Sequence, residues 1–213
     1  APLSYEVNYY VRDPQTLEYK LVAEVPIPYG SLISHVPSTA YKAPEGYTLS
    51  EAYSNASLTN LLPDDATMPA NEVDVYFKLV PNTYTATFDA NGGAWADGET
   101  TKDVEAEYNT KIVAPEDPTR EGYNFICWDP DVTIMDAENR TFVATWEEAT
   151  YNAVYKVDGN VYESFPTEYN AVIDVPAPPY KEGYTFIGWT DYTEGMTMPA
   201  KDVEFIAVFE INE

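Results

Sequence analysis

The residues Glu121–Trp128 (EGYNFICW) recur as Glu182–Trp189 (EGYTFIGW), with matching positions 61 residues apart, and a shorter copy, Glu45–Leu49 (EGYTL), precedes them. The glycine after each glutamate predicts a turn, because glycine adopts backbone conformations that other residues avoid. Aromatic residues at alternate positions after the glycine predict a strand with both rings on one face. Recurrence at a fixed period indicates a tandem array of small units. The shared structural signature consists of Gly46, Tyr47, Gly122, Tyr123, Phe125, Trp128, Gly183, Tyr184, Phe186 and Trp189.

Further strand patterns flank these residues in the two clearer copies. Alternating residues at 84–90 and 151–157 predict opening strands. The Asn-Gly or Asp-Gly dipeptides that follow predict hairpins, with return strands over about 103–108 and about 161–169. Proline-rich segments come next and predict crossovers rather than long helices, because proline lacks a backbone donor.

A closing strand follows a methionine in each unit, at Met68, Met135 and Met198. Its alternating apolar residues predict one buried face, and we expect each methionine to fill the core. We therefore predict a mainly β protein, α+β at most, built from three units at residues 1–82, 83–149 and 150–213. The first unit is divergent, because it lacks the tryptophan and carries an inserted loop at 54–66, for which the sequence leaves two interpretations open, a short helix and a functional loop.

Trp128 and Trp189 lie three residues after Phe125 and Phe186, so a regular strand would place them on the opposite face. The pattern predicts either a bend or bulge that returns each indole to the core edge, or partial exposure. We favour anchoring in the core. An exposed ligand-stacking platform is the alternative.

The net charge of −25 narrows the classes of partner. Acidic residues outnumber basic ones in all three units, and no basic stripe exists, so repulsion disfavours nucleic acid and anionic lipid as partners. We expect a soluble monomer. Capture of a cationic partner, or loose cation binding, is a second interpretation of the same charge.

The sequence contains few residues that are candidates for catalysis. Cys127 and His35 are the sole cysteine and histidine, so no clustered zinc site or nucleophile–base arrangement is encoded. We expect Cys127 to be a half-buried structural thiol, His35 to be a surface imidazole, and Asp129 with Asp131 to form a solvated turn rather than a calcium site. The sequence predicts no enzyme and no cofactor.

The second and third units resemble the Listeria–Bacteroides repeat, the family of the internalin B-repeats. The resemblance rests on residues 84–93, on 118–123 with Phe125, Trp128 and Trp146, and on 181–189 and 198–203; it covers residues 83–213 well and 4–80 weakly. It implies small β-grasp, ubiquitin-like units in an elongated array on secreted or surface-attached bacterial proteins. It also implies no catalysis and no cofactor.

Two functional classes follow from these observations. The first is a non-catalytic stalk or spacer with weak adhesive contacts, on the outside of a bacterial cell. The second is a dedicated module for a carbohydrate, host or envelope protein, using exposed aromatics at Trp95, Tyr9, Tyr10 and Tyr53. The chain begins without methionine and contains no signal peptide or membrane span, which predicts an excised or mature segment.

Overall fold

The computed structural model describes residues 3–37 and 41–213. Its described residues form twelve strands and no helix, in three consecutive groups of four that we call repeats one, two and three. Repeat one contains β1 (Ser4–Arg12), β2 (Tyr19–Pro28), β3 (Tyr47–Leu49) and β4 (Val73–Pro81). Repeat two contains β5 (Thr83–Asp89), β6 (Thr101–Glu107), β7 (Tyr123–Asp129) and β8 (Arg140–Glu148). Repeat three contains β9 (Thr150–Val157), β10 (Asn160–Glu168), β11 (Tyr184–Trp189) and β12 (Val203–Ile211).

The three sheets share one strand order. The orders are β2-β1-β4-β3, β6-β5-β8-β7 and β10-β9-β12-β11, so the first and last strands of each repeat lie at the centre of its sheet. In repeats one and three these central strands are parallel, and the outer strands pair with them in antiparallel fashion. The prediction of a mainly β protein is confirmed. The inserted loop at 54–66 holds no helix; hydrogen bonds from the Asn55 side chain to Ser57 and Thr59 close it instead.

The cores lie on one face of the sheets, as the alternating residues of the closing strands predict. Val75 and Phe77 in β4 and Phe142 and Ala144 in β8 are fully buried, and Phe205 in β12 is nearly so. The three methionines before these strands are buried as well. Their carbonyls accept hydrogen bonds from the backbone N–H groups of Gly30, Asn109 and Asn170, which ties the crossover to the hairpin end in every repeat.

A β-bulge explains the position of the repeated tryptophan. The register of β7 against β8 shifts between Phe125 and Cys127, and that of β11 against β12 shifts between Phe186 and Gly188. The extra residue returns the following indole to the inner face. Trp128 and Trp189 are 7% and 9% exposed, respectively.

The bulge also corrects one expectation. Cys127 was expected to be half-buried, but it is exposed. Because Trp128 turns inward, the preceding side chain turns outward, where its Sγ lies 3.2 Å from Thr145 Oγ1.

The chain divides into two compact units, and the division runs through repeat two. One unit comprises residues up to Ala86 together with Glu105–Ile112 and Thr133–Arg140. The other comprises Thr87–Val104, Val113–Val132 and Thr141–Glu213. The independence of 1–82, 83–149 and 150–213 as folding domains stays a prediction.

Tyr155 is the most perturbed titratable group in the core of repeat three. Its ring stacks on Phe205 with centroids 5.0 Å apart and meets Trp189 edge-on at 4.8 Å. Its hydroxyl donates a hydrogen bond of 2.8 Å to the Asp174 carbonyl. Burial, with smaller contributions from Tyr192 and Asp174, raises the pKa of Tyr155 to about 12.

Repeat three should therefore lose stability in alkaline solution. An unfolded tyrosine ionises near its ordinary pKa of about 10, whereas folded Tyr155 holds its proton to about 12. Between these values the folded state binds more protons, so rising pH favours unfolding. Urea unfolding measured from about pH 8 to about pH 11 should show this loss, and Tyr155→Phe should make it smaller. Equal pH dependence in both proteins would contradict the assignment.

Candidate functional site

The repeated glycine and tyrosine lie where one repeat meets the next. At the first joint, defined by Gly46, Asn82 and Tyr108, the Asn82 N–H donates to the Gly46 carbonyl at 2.8 Å. The Asn82 carbonyl accepts from the Tyr108 N–H, also at 2.8 Å. Asn82 is the single residue between β4 and β5, so the linker itself connects the turn of repeat one to the hairpin end of repeat two. All three residues belong to one compact unit.

Gly46 is buried at this joint because the Tyr108 ring lies against it. A methyl group on its Cα would overlap that ring, and the backbone φ of +80° is one that disfavours other residues. The neighbouring Tyr47 ring meets Tyr108 edge-on, with centroids 5.2 Å apart and planes at 86°. Edge-to-face pairs of this kind are favourable aromatic geometry. The Glu-Gly-Tyr turn of repeat one is thus a receiving surface for a tyrosine.

The second joint repeats this arrangement with Gly122, Ala149 and Tyr169, which all belong to the other compact unit. The Ala149 N–H donates to the Gly122 carbonyl at 2.8 Å, and its carbonyl accepts from the Tyr169 N–H at 2.9 Å. Gly122 is buried with φ +79°, and a methyl group there would overlap the Tyr169 ring. Tyr123 meets Tyr169 edge-on at 5.7 Å. The Arg120 guanidinium lies 4.0 Å from the centre of the Tyr123 ring.

The third copy of the signature has the same backbone turn, but no ring of the described residues lies against its glycine, Gly183. Gly183 has φ +78°, and its carbonyl accepts a 3.0 Å hydrogen bond from the Asn212 N–H, as the other glycines do from their linker residues. However, apart from Gly183 and its two chain neighbours, no atom of residues 3–37 and 41–213 lies within 4 Å of a methyl group built on Gly183. Gly183 is exposed, and Tyr184 is 38% exposed.

Sequence reasoning located these residues but missed their shared role. The glycines were predicted to make turns, and they do lie in turns with positive φ. The joint was not predicted, because each glycine contacts a tyrosine that belongs to the following repeat. A signal was present: Tyr108 and Tyr169 recur at the same spacing as Gly122 and Gly183.

The candidate ligand contacts separate into two groups. The expectation that Tyr9 and Trp95 are exposed is wrong. Tyr9 faces the core of repeat one and is fully buried, with its hydroxyl donating to the Ser34 carbonyl at 3.1 Å. Burial raises the pKa of Tyr9. Trp95 is 7% exposed because its ring stacks on Trp128, at 6.2 Å and 15°, and its Nε1 donates to the Glu116 carbonyl.

Tyr10 and Tyr53 are partly exposed and lie beside the same residue, Tyr76. The Tyr10 ring stacks on Tyr76 at 5.3 Å and 18°, and Tyr53 exchanges two backbone hydrogen bonds of 2.9 Å with Tyr76. Tyr19 meets the same ring edge-on at 5.1 Å. Burial, followed by Asp74, raises the pKa of Tyr76. We call Tyr10, Tyr19, Tyr53 and Tyr76 the tyrosine patch.

The tyrosine patch is specific to repeat one. In repeat three the positions of Tyr10 and Tyr76 are occupied by Lys156 and Ile206, which are paired in the same parallel register. Lys156 forms an ion pair of 2.7 Å with Glu204 instead of a ring stack. The outer face of repeat one therefore differs in chemistry from that of repeat three.

Few side chains offer catalytic or metal-binding chemistry. His35 Nε2 lies 3.1 Å from the Pro63 carbonyl, and its Nδ1 lies 3.9 Å from Asp64. Within residues 3–37 and 41–213, no group of three or more histidine, cysteine or acidic side chains could hold a metal ion. The same residues include no helix with the length and apolarity to cross a bilayer.

The fold and joints define a tandem array of all-β repeats. The chain belongs to the Listeria-Bacteroides repeat domain family, whose model matches residues 84–144 and 151–208. This match confirms the resemblance seen in the signature residues of repeats two and three.

Several known proteins are similar to the chain. It is 30% identical over 97% of its length to a putative membrane protein of Evansella cellulosilytica, and 30% identical over 87% to a putative Gly-rich membrane protein of the same organism. It is 33% identical over 61% of its length to internalin H of Listeria monocytogenes. The chain spans 31%, 22% and 26% of these three relatives, respectively.

One solved structure also aligns with the chain. It is described as Streptococcal High Identity Repeats in Tandem (SHIRT) domains 3-4 from cell surface protein. The match has 17% identity and a TM-score of 0.31, and it covers 69% of this chain and 98% of that chain.

Proposed function

We propose that the chain is a non-catalytic repeat region of a bacterial secreted or cell-surface protein, acting as a stalk or spacer with weak adhesive contacts. The observation that carries the proposal is the joint. The same three-residue connection, with a buried glycine under a tyrosine ring, follows both repeat one and repeat two. A one-residue linker held by two hydrogen bonds restricts the connection far more than a flexible Gly/Ser linker would.

The family and the relatives support an extracellular setting. Internalin H and two putative membrane proteins carry similar sequence, and the chain spans under a third of each. Arrays of a small repeat add length or valency to a longer protein by simple repetition. The acidic surface, at a net charge of −25, keeps such an array soluble and disfavours nucleic acid and anionic lipid as partners.

We further propose that each repeat is a β-grasp-like unit that folds within 1–82, 83–149 or 150–213. The β-grasp proposal is supported by the strand order, because the first and last strands lie at the centre of each of the three four-stranded sheets. In repeats one and three, the parallel pairing of these strands supports it too. The described crossovers contain turns and bridges where a grasp fold would place a helix.

A distance measurement tests the spacer role. Spin labels on cysteine pairs in a Cys127→Ser background would report the separation between repeat one and repeat three, because Cys127 is exposed and would otherwise be labelled. A spacer predicts one narrow distribution for each pair, and a longer distance when another copy of 150–213 is inserted at a joint. Broad distributions that do not lengthen on insertion would contradict it.

The tyrosine patch favours a second function, the binding of a carbohydrate or a host or envelope protein by repeat one. Partly exposed rings beside one another offer apolar faces with polar hydroxyl tips, which suits stacking on sugar rings. Tyr76→Ala should abolish binding to a glycan array if the patch is the site. Ile206→Ala, at the matching position of repeat three, should leave it unchanged. Equal effects of both substitutions, or binding that survives Tyr76→Ala, would contradict this function.

A further inference from the structure

We propose that the surface formed by Gly183, Tyr184 and Asn212 is a docking site for the hairpin-end tyrosine of another repeat of this family, joined directly after Asn212. This surface is the third copy of the receiving surface at the two joints. Its geometry is complete on the side of repeat three and open on the other side. The occupant we assign has the chemistry of Tyr108 and Tyr169: a tyrosine that follows the second strand of a repeat.

The glycines show the difference between occupied and open surfaces. Gly46, Gly122 and Gly183 have nearly the same φ, of +80°, +79° and +78°. The first two are buried under a tyrosine ring, whereas the third is exposed. Apart from Gly183 and its two chain neighbours, no atom of the described residues lies within 4 Å of a methyl group built there. Backbone conformation is therefore preserved at Gly183 although no described residue covers it. The neighbouring Tyr184 keeps its cation contact, with Lys181 Nζ 4.9 Å from the ring centre.

The linker residues show the same difference, because within the described residues Asn212 makes only one of the two backbone hydrogen bonds that Asn82 and Ala149 make. Asn82 and Ala149 each donate to the glycine of the preceding repeat and accept from the tyrosine N–H of the following repeat. Asn212 donates to the Gly183 carbonyl at 3.0 Å, and no backbone N–H in the described parts of the chain hydrogen-bonds to its own carbonyl. Because one linker residue makes both hydrogen bonds, the joint favours an occupant that is covalently continuous with Asn212.

The other end of the chain carries the complementary half. The Tyr29 N–H donates to the Leu3 carbonyl at 2.9 Å, as Tyr108 and Tyr169 do to their linker residues. Tyr29 is 62% exposed and Leu3 is 73% exposed, since no receiving glycine of the described residues lies against them. The net charge of −25 opposes association of separate copies through these ends. For a repeat that is covalently joined in series, the high effective concentration offsets this repulsion.

The experiment extends the chain by one repeat and asks whether Gly183 acquires a partner. Residues 150–213 are appended directly after Asn212, and Gly183→Ala is introduced into both the present chain and the extended chain. The urea midpoint of repeat three is measured by fluorine NMR. The fluorine label is attached to the thiol of Lys201→Cys, which is introduced in a Cys127→Ser background. A matched extended protein carries alanine in place of Tyr169 of the appended copy only.

We expect Gly183→Ala to lower the midpoint further in the extended chain than in the present one. The extra loss should disappear when the appended tyrosine is alanine. Equal losses in the present and extended chains would overturn the proposal. An extra loss that survives removal of the appended tyrosine would overturn the assigned occupant. Sedimentation of the present chain measures its oligomeric state. A monomer supports docking in series. End-to-end oligomers that disappear on Gly183→Val would show instead that the occupant is a second copy of the chain.

Discussion

Replacing Trp128 with alanine is expected to lower the free energy of unfolding of repeat two by about 3–5 kcal/mol, as large-to-small changes at buried aromatic positions do. Trp128 is 7% exposed and lies against three other rings: Phe88 at 4.9 Å, Phe125 at 5.3 Å and Trp95 at 6.2 Å. Small domains have only about 5–15 kcal/mol of stability. The substitution should therefore leave repeat two largely unfolded at moderate urea concentrations, as measured by calorimetry and far-ultraviolet circular dichroism.

Ile126→Ala provides the matched control for this prediction. Ile126 lies on the same strand, two residues away, and is 54% exposed. Because more than half of this residue's surface is already in water, we expect its truncation to cost under about 1 kcal/mol. Similar losses for Trp128→Ala and Ile126→Ala would show that the bulge does not direct the indole into the core.

The second large effect is expected at the joint between repeats two and three. Gly122→Ala should destabilise the protein by about 1–2 kcal/mol through its left-handed backbone, and by a further 1–3 kcal/mol, roughly, because the new methyl group displaces the Tyr169 ring. Gly183→Ala carries the same backbone cost, at nearly the same φ, but beyond its two chain neighbours the new methyl group meets no atom of the described residues within 4 Å. Chemical unfolding of the two variants should therefore differ by the cost of the ring overlap.

This pair separates backbone strain from inter-repeat packing. Gly183→Val should disrupt repeat three through its backbone conformation alone, because the space around Gly183 is open among the described residues. Repeat two should then unfold almost as it does in the unaltered protein. If Gly122→Ala and Gly183→Ala cost the same, the tyrosine ring contributes nothing to the second joint.

Local sequence pattern predicted most of the fold for clear physical reasons. Alternation of period two marks strands that bury one face, and Phe77, Phe142 and Phe205 lie on the buried face of the closing strands. The offset of Trp128 from Phe125 predicted a bulge or partial exposure, and the structure contains the bulge. Proline-rich crossovers excluded long helices, and no helix occurs in the described residues.

The errors arose where a residue's neighbours are distant in sequence. Tyr9 and Tyr10 are adjacent aromatic residues, and only the parallel pairing with β4 decides that Tyr9 faces inward. Trp95 follows a turn, where exposure is the usual outcome, but its ring stacks on Trp128. The joints link residues of different repeats, so no pattern within one repeat could reveal why its glycine must lack a side chain.

The most direct test of the account is a double-mutant cycle between Gly122 and Tyr169, measured by urea unfolding. Each single alanine substitution should destabilise the protein, the first by overlap and backbone strain and the second by loss of ring contact. In the Tyr169→Ala background the overlap is gone, so Gly122→Ala should cost no more than Gly183→Ala does in the unaltered protein. A coupling of about 1 kcal/mol or more is the predicted result for groups in direct contact. Strictly additive losses would contradict the claim that a glycine–tyrosine contact joins the repeats.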